Sequence, residues 1–216
     1  TATLALYAPY KDFVYLLGDF NDWKVQTDYM LNRHVVNSDS VIWWFDLNVS
    51  PGTEYAFQYL VDGTIRTGDP YSEKILDPWN DQYIPSTSYP NLKPYPAGKT
   101  SQAVTVLQTM QSEYQWQVTD FQKPPKEKLV IYELHVRDFS TQRTYQFLID
   151  TLSYLKSLGI NAIELMPVNE FEGNSSWGYN PSFSTALDKY YGTPNKLKEF
   201  IDLCHQNGIA VIMDMV

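Results

Sequence analysis

A single cysteine, Cys204, stands among the 216 residues, so no disulfide can close within the chain and its redox compartment is left open. Basic residues are few against acidic ones, 16 Lys and Arg to 25 Asp and Glu, for a net charge of −9. The acidic excess is spread along the chain and no Lys/Arg block interrupts it. That argues against nucleic acid and against anionic membrane surfaces as partners. No apolar run approaches the roughly 18–20 residues of a membrane-spanning helix. Thr1 to Tyr10 lacks the charged-then-apolar pattern of a secretory leader. The three histidines, His34, His135 and His205, show no metal-ligand spacing. Internal repeats and low-complexity tracts are missing too, and localisation stays unassigned.

Aromatic residues are abundant: 6 Trp, 17 Tyr and 10 Phe make up 15% of the chain. Such a surplus suits sugar stacking and an all-β core equally well. Up to about Pro125 the sequence reads as short strands. Leu4–Tyr7, Phe13–Leu17, Val41–Phe45, Tyr55–Tyr59 and Val104–Leu107 are aromatic or β-branched runs. Turn clusters such as Gly18-Asp19-Phe20-Asn21-Asp22, Pro51-Gly52 and Asp62-Gly63 separate them. Strands at this spacing predict an antiparallel sandwich. The proline-rich stretch Ile84–Thr100 reads as ordered loop, and residues 123–128 as a linker.

After Lys128 the pattern becomes alternating strand and helix. Leu129–His135, Asn161–Met166 and Ile209–Met213 are strand candidates. Leu148, Leu152, Leu155 and Leu158 recur at helical spacing before Gly159, which suits a helix C-terminus. Thr193 and Pro194 open a second helix, whose apolar face is Leu197, Phe200/Ile201 and Cys204 and which Asn207-Gly208 ends. The order βαβαβ with buried strands predicts a parallel sheet with right-handed crossovers.

Three stretches after Lys128 carry a resemblance. Gly159–Pro167 resembles the second barrel strand of the α-amylase family, glycoside hydrolase family 13. Trp177-Gly178-Tyr179-Asn180-Pro181 followed by Asp188–Thr193 resembles the loop after that strand. Cys204–Val216 is similar to the run into the family's first conserved region, which ordinarily continues to an Asn-His pair. Upstream, Gly18–Trp23 and Tyr59–Gly63 resemble the isoamylase-type early-set sandwich, also called carbohydrate-binding module family 48. The fold implied is multidomain. An all-β immunoglobulin-like sandwich (1–122) and a linker (123–128) precede an α/β segment (129–216) holding the first three strands and two helices of a TIM (β/α)₈ barrel.

The resemblance implies a retaining enzyme acting on α-linked glucans such as starch, glycogen or maltooligosaccharides, with internal α-1,4 hydrolysis leading and debranching or branching as alternatives. Retention needs two carboxyl groups about 5–5.5 Å apart, one ionised and one protonated. The family carries its nucleophile and acid on later strands. A barrel of ~250 residues gives about 31 per βα unit, so 129–216 has room for about three. The expectation is therefore that the chain appears truncated, holds no catalytic residue of its own, turns over no substrate alone and self-associates through an open barrel edge. A non-catalytic starch- or glycogen-binding protein is the reading from another class.

Several positions match the family's substrate-binding side. Tyr179 matches the tyrosine that stacks beneath the sugar at the cleaved bond, and Asp214 the strand-end aspartate that supports the site. Trp177 either lines the cleft or packs its loop. His135 shares a strand face with Glu133, where a structural hydrogen-bonding role outweighs chemistry. Trp23 matches one of the early-set module's glucan-gripping tryptophans. The partner positions hold Gln58 and Ile65, which favours a structural Trp23. No cofactor is implied. The oxygen-rich stretches 77–81 and 170–174 are the weak candidates for Ca²⁺, and turn chemistry explains them equally well.

Overall fold

The computed structural model describes residues 1–216. The chain divides into two compact units, Thr1–Gln82 with Lys93–Ser112, and Tyr83–Leu92 with Glu113–Val216.

The first unit is all β. Its strands are β1 (Ala2–Tyr7), β2 (Val14–Gly18), β3 (Asn32–Asn37), β4 (Ser40–Leu47), β5 (Glu54–Val61), β6 (Ile65–Thr67), β7 (Ile75–Leu76) and β8 (Val104–Gln108). They form two antiparallel sheets, β1-β4-β3 and β2-β5-β8-β7, with β6 on β5. Alternation decides the packing. Leu4, Leu6, Val41, Trp43 and Leu47 of one sheet share a core with Val14, Leu16, Phe57, Tyr59 and Val61 of the other. The Trp43 indole N–H finds the Ala8 carbonyl at 2.8 Å, so this large ring is buried with its polar atom satisfied. Asp62 and Gly63 both have positive φ, 49° and 69°, the geometry of a tight hairpin turn between β5 and β6.

All five strands expected from the aromatic and β-branched runs occur. Three others escaped that reading: β3, whose six residues are all exposed, and β6 and β7, of three and two residues. An exposed edge strand has no buried face to impose a period of two.

The second unit carries β9 (Ile131–Leu134), α1 (Val136–Phe139), α2 (Tyr145–Asp150), α3 (Leu152–Ser157), β10 (Ala162–Leu165), β11 (Asn169–Phe171), β12 (Pro181–Leu187), α4 (Pro194–Gln206) and β13 (Ala210–Met213). Its central sheet is parallel, in the order β13-β10-β9. Tyr132, Leu134, Ile163, Leu165, Val211 and Met213 turn to the helix-packed core. By alternation, Glu133, Glu164 and Ile212, which stand side by side in the register, belong to the opposite face.

The helix expected through Leu148–Leu158 is two helices. Thr151 leaves helical geometry (φ −103°, ψ 6°), and its hydroxyl donates to the Phe147 carbonyl at 2.7 Å, ending α2 before α3 begins. Helix α4 starts as its sequence demands: the Thr193 hydroxyl accepts from the Lys196 N–H, Pro194 follows, and Leu197, Phe200 and Cys204 are buried. A hairpin of β11 and β12 was not expected from sequence. It leaves and rejoins the unit at one point, where the Asp188 N–H donates to the Val168 carbonyl at 2.9 Å.

The division of the chain also differs from the expected boundary at 123–128. Residues 113–122 belong with the second unit because Asp202 of α4 holds them. Its carboxylate accepts from the backbone N–H groups of Gln117 (2.8 Å) and Val118 (3.0 Å) and from the Tyr114 hydroxyl (3.2 Å). Phe121 stacks on His205 at 4.0 Å between ring centres, so that histidine packs a ring at the helix end.

Candidate sugar-facing site

The C-terminal ends of the parallel strands bring His135, Asp214 and the loop Ser176–Asn180 to one side of the second unit. In an open or closed parallel sheet, this is where binding groups gather. Asp214 follows β13 directly, and its backbone N–H donates to the Leu165 carbonyl at 3.0 Å, which extends the ladder by one residue. Its Oδ2 accepts from the Tyr179 hydroxyl at 2.7 Å. Tyr179 nevertheless remains 47% exposed. The bond to Asp214 raises the Tyr179 phenol above its ordinary value, with burial and the charges of Asp214, Glu133 and Glu164 acting in the same direction. An exposed aromatic face beside three carboxylates suits a neutral polyol: the ring covers the apolar face of a sugar, and the carboxylates accept from its hydroxyls.

Trp177 is 59% exposed. The His135 ring lies parallel to it, 5.6 Å between centres and 10° between planes, and the Arg137 guanidinium carbon stands 5.6 Å from the indole centre. His135 itself is buried, with Nδ1 3.2 Å from Asp138 Oδ2 and Nε2 3.5 Å from the Tyr191 hydroxyl. Arg137 binds Asp138 through two parallel hydrogen bonds of 2.8 and 2.9 Å. That pairing, with His135 adding to it, holds the Asp138 carboxyl well below the usual carboxylate range.

Gly178 makes the loop possible. Its φ is +89°, and a Cβ there would fall 2.3 Å from the Pro167 carbonyl oxygen. The Ser176 hydroxyl accepts from the Gly178 N–H at 3.0 Å and also bonds the Asn180 side chain. Behind the loop, Lys189 and Glu170 form a buried ion pair.

Thus the loop brings Tyr179 to Asp214 and Trp177 to His135, whereas Trp23 lies in the first unit. Trp23 is only 7% exposed, and its indole N–H donates to Asp19 Oδ1 at 3.1 Å. Asp19 Oδ2 in turn accepts from the Ala56 N–H at 2.9 Å, so the polar groups of this motif bind its own unit. Gln58 is buried and donates to the Ser101 and Ala103 carbonyls, both at 2.8 Å; Ile65 is exposed.

Of the two oxygen-rich stretches, Asp77 caps a turn by accepting from the Trp79 N–H and the Asn80 side chain, while Glu170 faces Lys189. Sequence reasoning did not single out Arg137, Asp138 or the Glu170–Lys189 pair. The adjacent opposite charges at the exit of the first strand were the one available signal for the first two.

Residues 138–216 match the family model described as alpha amylase, catalytic domain. Malto-oligosyltrehalose trehalohydrolase of Saccharolobus solfataricus is 34% identical over 152 residues, 70% of this chain and 25% of that protein. The 1,4-alpha-glucan branching enzyme GlgB of Pseudoalteromonas atlantica is 30% identical over 226 residues, 98% of this chain and 28% of the enzyme. A crystal structure of a putative alpha amylase from Salmonella typhimurium superposes with a TM-score of 0.73 at 26% identity, over 99% of this chain and 31% of the other. The chain spans about a quarter of the length of these curated relatives. With the strand-end aspartate, the aromatic loop and the parallel sheet in place, the chain belongs to the α-amylase family, glycoside hydrolase family 13.

Proposed function

We propose that these residues form the sugar-facing start of a retaining enzyme acting on α-glucans, preceded by an immunoglobulin-like early-set sandwich. The observation that carries this reading is the Tyr179–Asp214 bond of 2.7 Å at the strand ends, which fixes an exposed ring and a carboxylate on one side of a parallel sheet. The ring stacks a glucose unit, and Asp214 accepts from its hydroxyls. Hydrolysis of internal α-1,4 bonds is the leading chemistry. Branching is the second reading, favoured by the alignment to a branching enzyme along 98% of the chain. The nucleophile and general acid are assigned to barrel strands beyond the third, so residues 1–216 alone bind glucan without turnover. No cofactor is invoked. Trp23 serves the first unit's structure rather than glucan binding. Alone, the chain self-associates through β9 and β13, each of which has one strand neighbour.

Titration of the chain with maltoheptaose by calorimetry tests the site. Binding that Tyr179→Ala abolishes supports the proposal, whereas equal affinity for cellooligosaccharides would overturn the α-glucan assignment. Release of reducing sugar from soluble starch by the chain alone would overturn the assignment of catalysis elsewhere. In the longer polypeptide, reducing ends distinguish hydrolysis from branching, which instead shifts the iodine spectrum of amylose. Size-exclusion chromatography giving a monomer at all concentrations would end the self-association proposal.

A further inference from the structure

Tyr179 is half exposed, so burial alone does not set the direction of its ring. The residue is held at two ends. At its tip the hydroxyl donates to Asp214 Oδ2 at 2.7 Å. At its root, the residues on either side are bound to one atom, the Ser176 hydroxyl oxygen. That oxygen accepts from the Gly178 N–H at 3.0 Å, which closes the turn, and it also bonds the Asn180 side chain four residues on. A hydroxyl that accepts from an N–H still has its own proton to give, so Ser176 donates to Asn180 Oδ1.

The glycine permits the bend without directing it. Gly178 has a φ of +89° and the widest backbone freedom of any residue type, and a hydroxyl across the turn takes that freedom away. Gly178 is also buried, so its N–H would have little water to turn to if the hydroxyl were lost. The bond at the tip depends on this. A shift of about 1 Å at the phenol would carry it beyond hydrogen-bond reach of Asp214. We propose that Ser176 is a positioning residue: by binding both neighbours of Tyr179 it aims the ring at Asp214, and so sets how tightly the site takes an α-glucan. This rests on the α-glucan reading of the Tyr179–Asp214 site and adds the residue that governs it. A ring aimed before its ligand arrives loses less conformational freedom on binding, which is how preorganisation raises affinity.

The test reads the ring itself. In a chain labelled at tyrosine Cζ, the Tyr179 resonance is assigned by its loss in Tyr179→Phe. Asp214→Asn should move that resonance. With Ser176→Ala already present, Asp214→Asn should leave it nearly unmoved, because the ring no longer reaches position 214. Ser176→Thr, which keeps the hydroxyl, should restore the response. Asn180→Ala cuts one tie and leaves the Gly178 acceptor in place. It should weaken the response in part, and it serves as the variant if Ser176→Ala fails to fold. A merely structural Ser176 would lower the urea midpoint without uncoupling the ring from Asp214. Calorimetric titration with maltoheptaose reads the consequence. Ser176→Ala should weaken binding about tenfold, and Ser176→Thr should recover most of it. The double variant Ser176→Ala/Asn180→Ala should bind no more weakly than Ser176→Ala, because the first change has already cut both ties. A resonance in Ser176→Ala that still answers Asp214→Asn, undiminished affinity in that variant or an additive double variant would each overturn the inference. A wild-type chain that binds no maltoheptaose removes the α-glucan reading, and the resonance then decides the positioning role by itself.

Discussion

Lys189 Nζ stands 2.5 Å from Glu170 Oε1, with the two side chains 3% and 5% exposed. Glu170 lies on β11 and Lys189 just after β12, so the pair braces the hairpin that carries Trp177 and Tyr179. Removing one partner of a buried ion pair leaves the other charge in low dielectric, at a cost of about 3–5 kcal/mol. Lys189→Met should therefore lower the urea unfolding free energy by that amount. Lys189→Met combined with Glu170→Leu should recover much of it, and an additive double variant would show that the pair is not coupled.

Gly178 and Gly159 separate two costs of a side chain at positive φ. Both have left-handed backbones, +89° and +75°, but a Cβ at Gly159 meets nothing within 4 Å. Gly159→Ala should cost roughly 1–2 kcal/mol, the conformational term alone. Gly178→Ala adds a clash with the Pro167 carbonyl and should cost clearly more in the same denaturant titration, with loss of maltooligosaccharide binding.

Asp202→Ala should release residues 113–118. The carboxylate has two backbone N–H donors and one hydroxyl donor, and its loss leaves them without their acceptor. A decrease of about 2–4 kcal/mol is expected, with Asp202→Asn losing less because it keeps an acceptor oxygen. Hydrogen exchange at the Gln117 and Val118 amides reads the release directly.

Alkaline pH should destabilise the fold. Burial pushes the Cys204 thiol up to about 12, and burial together with nearby carboxylates raises the Tyr59, Tyr145 and Tyr191 phenols. In the unfolded chain such groups ionise at their ordinary values, near 8.5 for thiols and about 10 for phenols. Above about pH 9 the unfolded state thus sheds protons that the folded state keeps, so stability falls as pH rises toward 12. Urea midpoints at pH 8, 9.5 and 11 should decline in that order. Iodoacetamide should label Cys204 only after unfolding.

The elements most legible in the sequence were those whose burial imposes a period. Val41–Phe45 declared a strand by its aromatic and β-branched run, with Val41 and Trp43 entering a core, and Tyr55–Tyr59 by a similar run, in a strand buried on both faces from Ala56 onward. Thr193-Pro194 declared a helix start because capping chemistry is local. The break at Thr151 was invisible, since Leu148, Leu152 and Leu155 keep helical spacing across it and all three are buried. The β11–β12 hairpin was hidden too: its register shifts twice between Asn169 and Phe171, which erases any simple alternation. In the site, Tyr179 and Asp214 were found through motif resemblance, and their direct bond could not be read from positions 35 residues apart. The contacts of Trp177 with His135 and Arg137 depend on where one turn of helix after β9 sets those side chains, a matter of three-dimensional placement that adjacent charges alone do not reveal.

The neck between Val168 and Asp188 gives the aromatic loop a modular character. A segment that departs and returns through one backbone hydrogen bond, and is tied by Glu170 to Lys189 just beyond its neck, is a cassette in the sheet's terms. Its tip, around Ser176–Asn180, meets the strand ends, whereas Phe171 at its base belongs to the core that β9, β10 and β13 share, so the tip is the part that can change. Variation in what meets the strand ends can therefore be written into the tip of one hairpin, while the parallel sheet beneath it is kept constant.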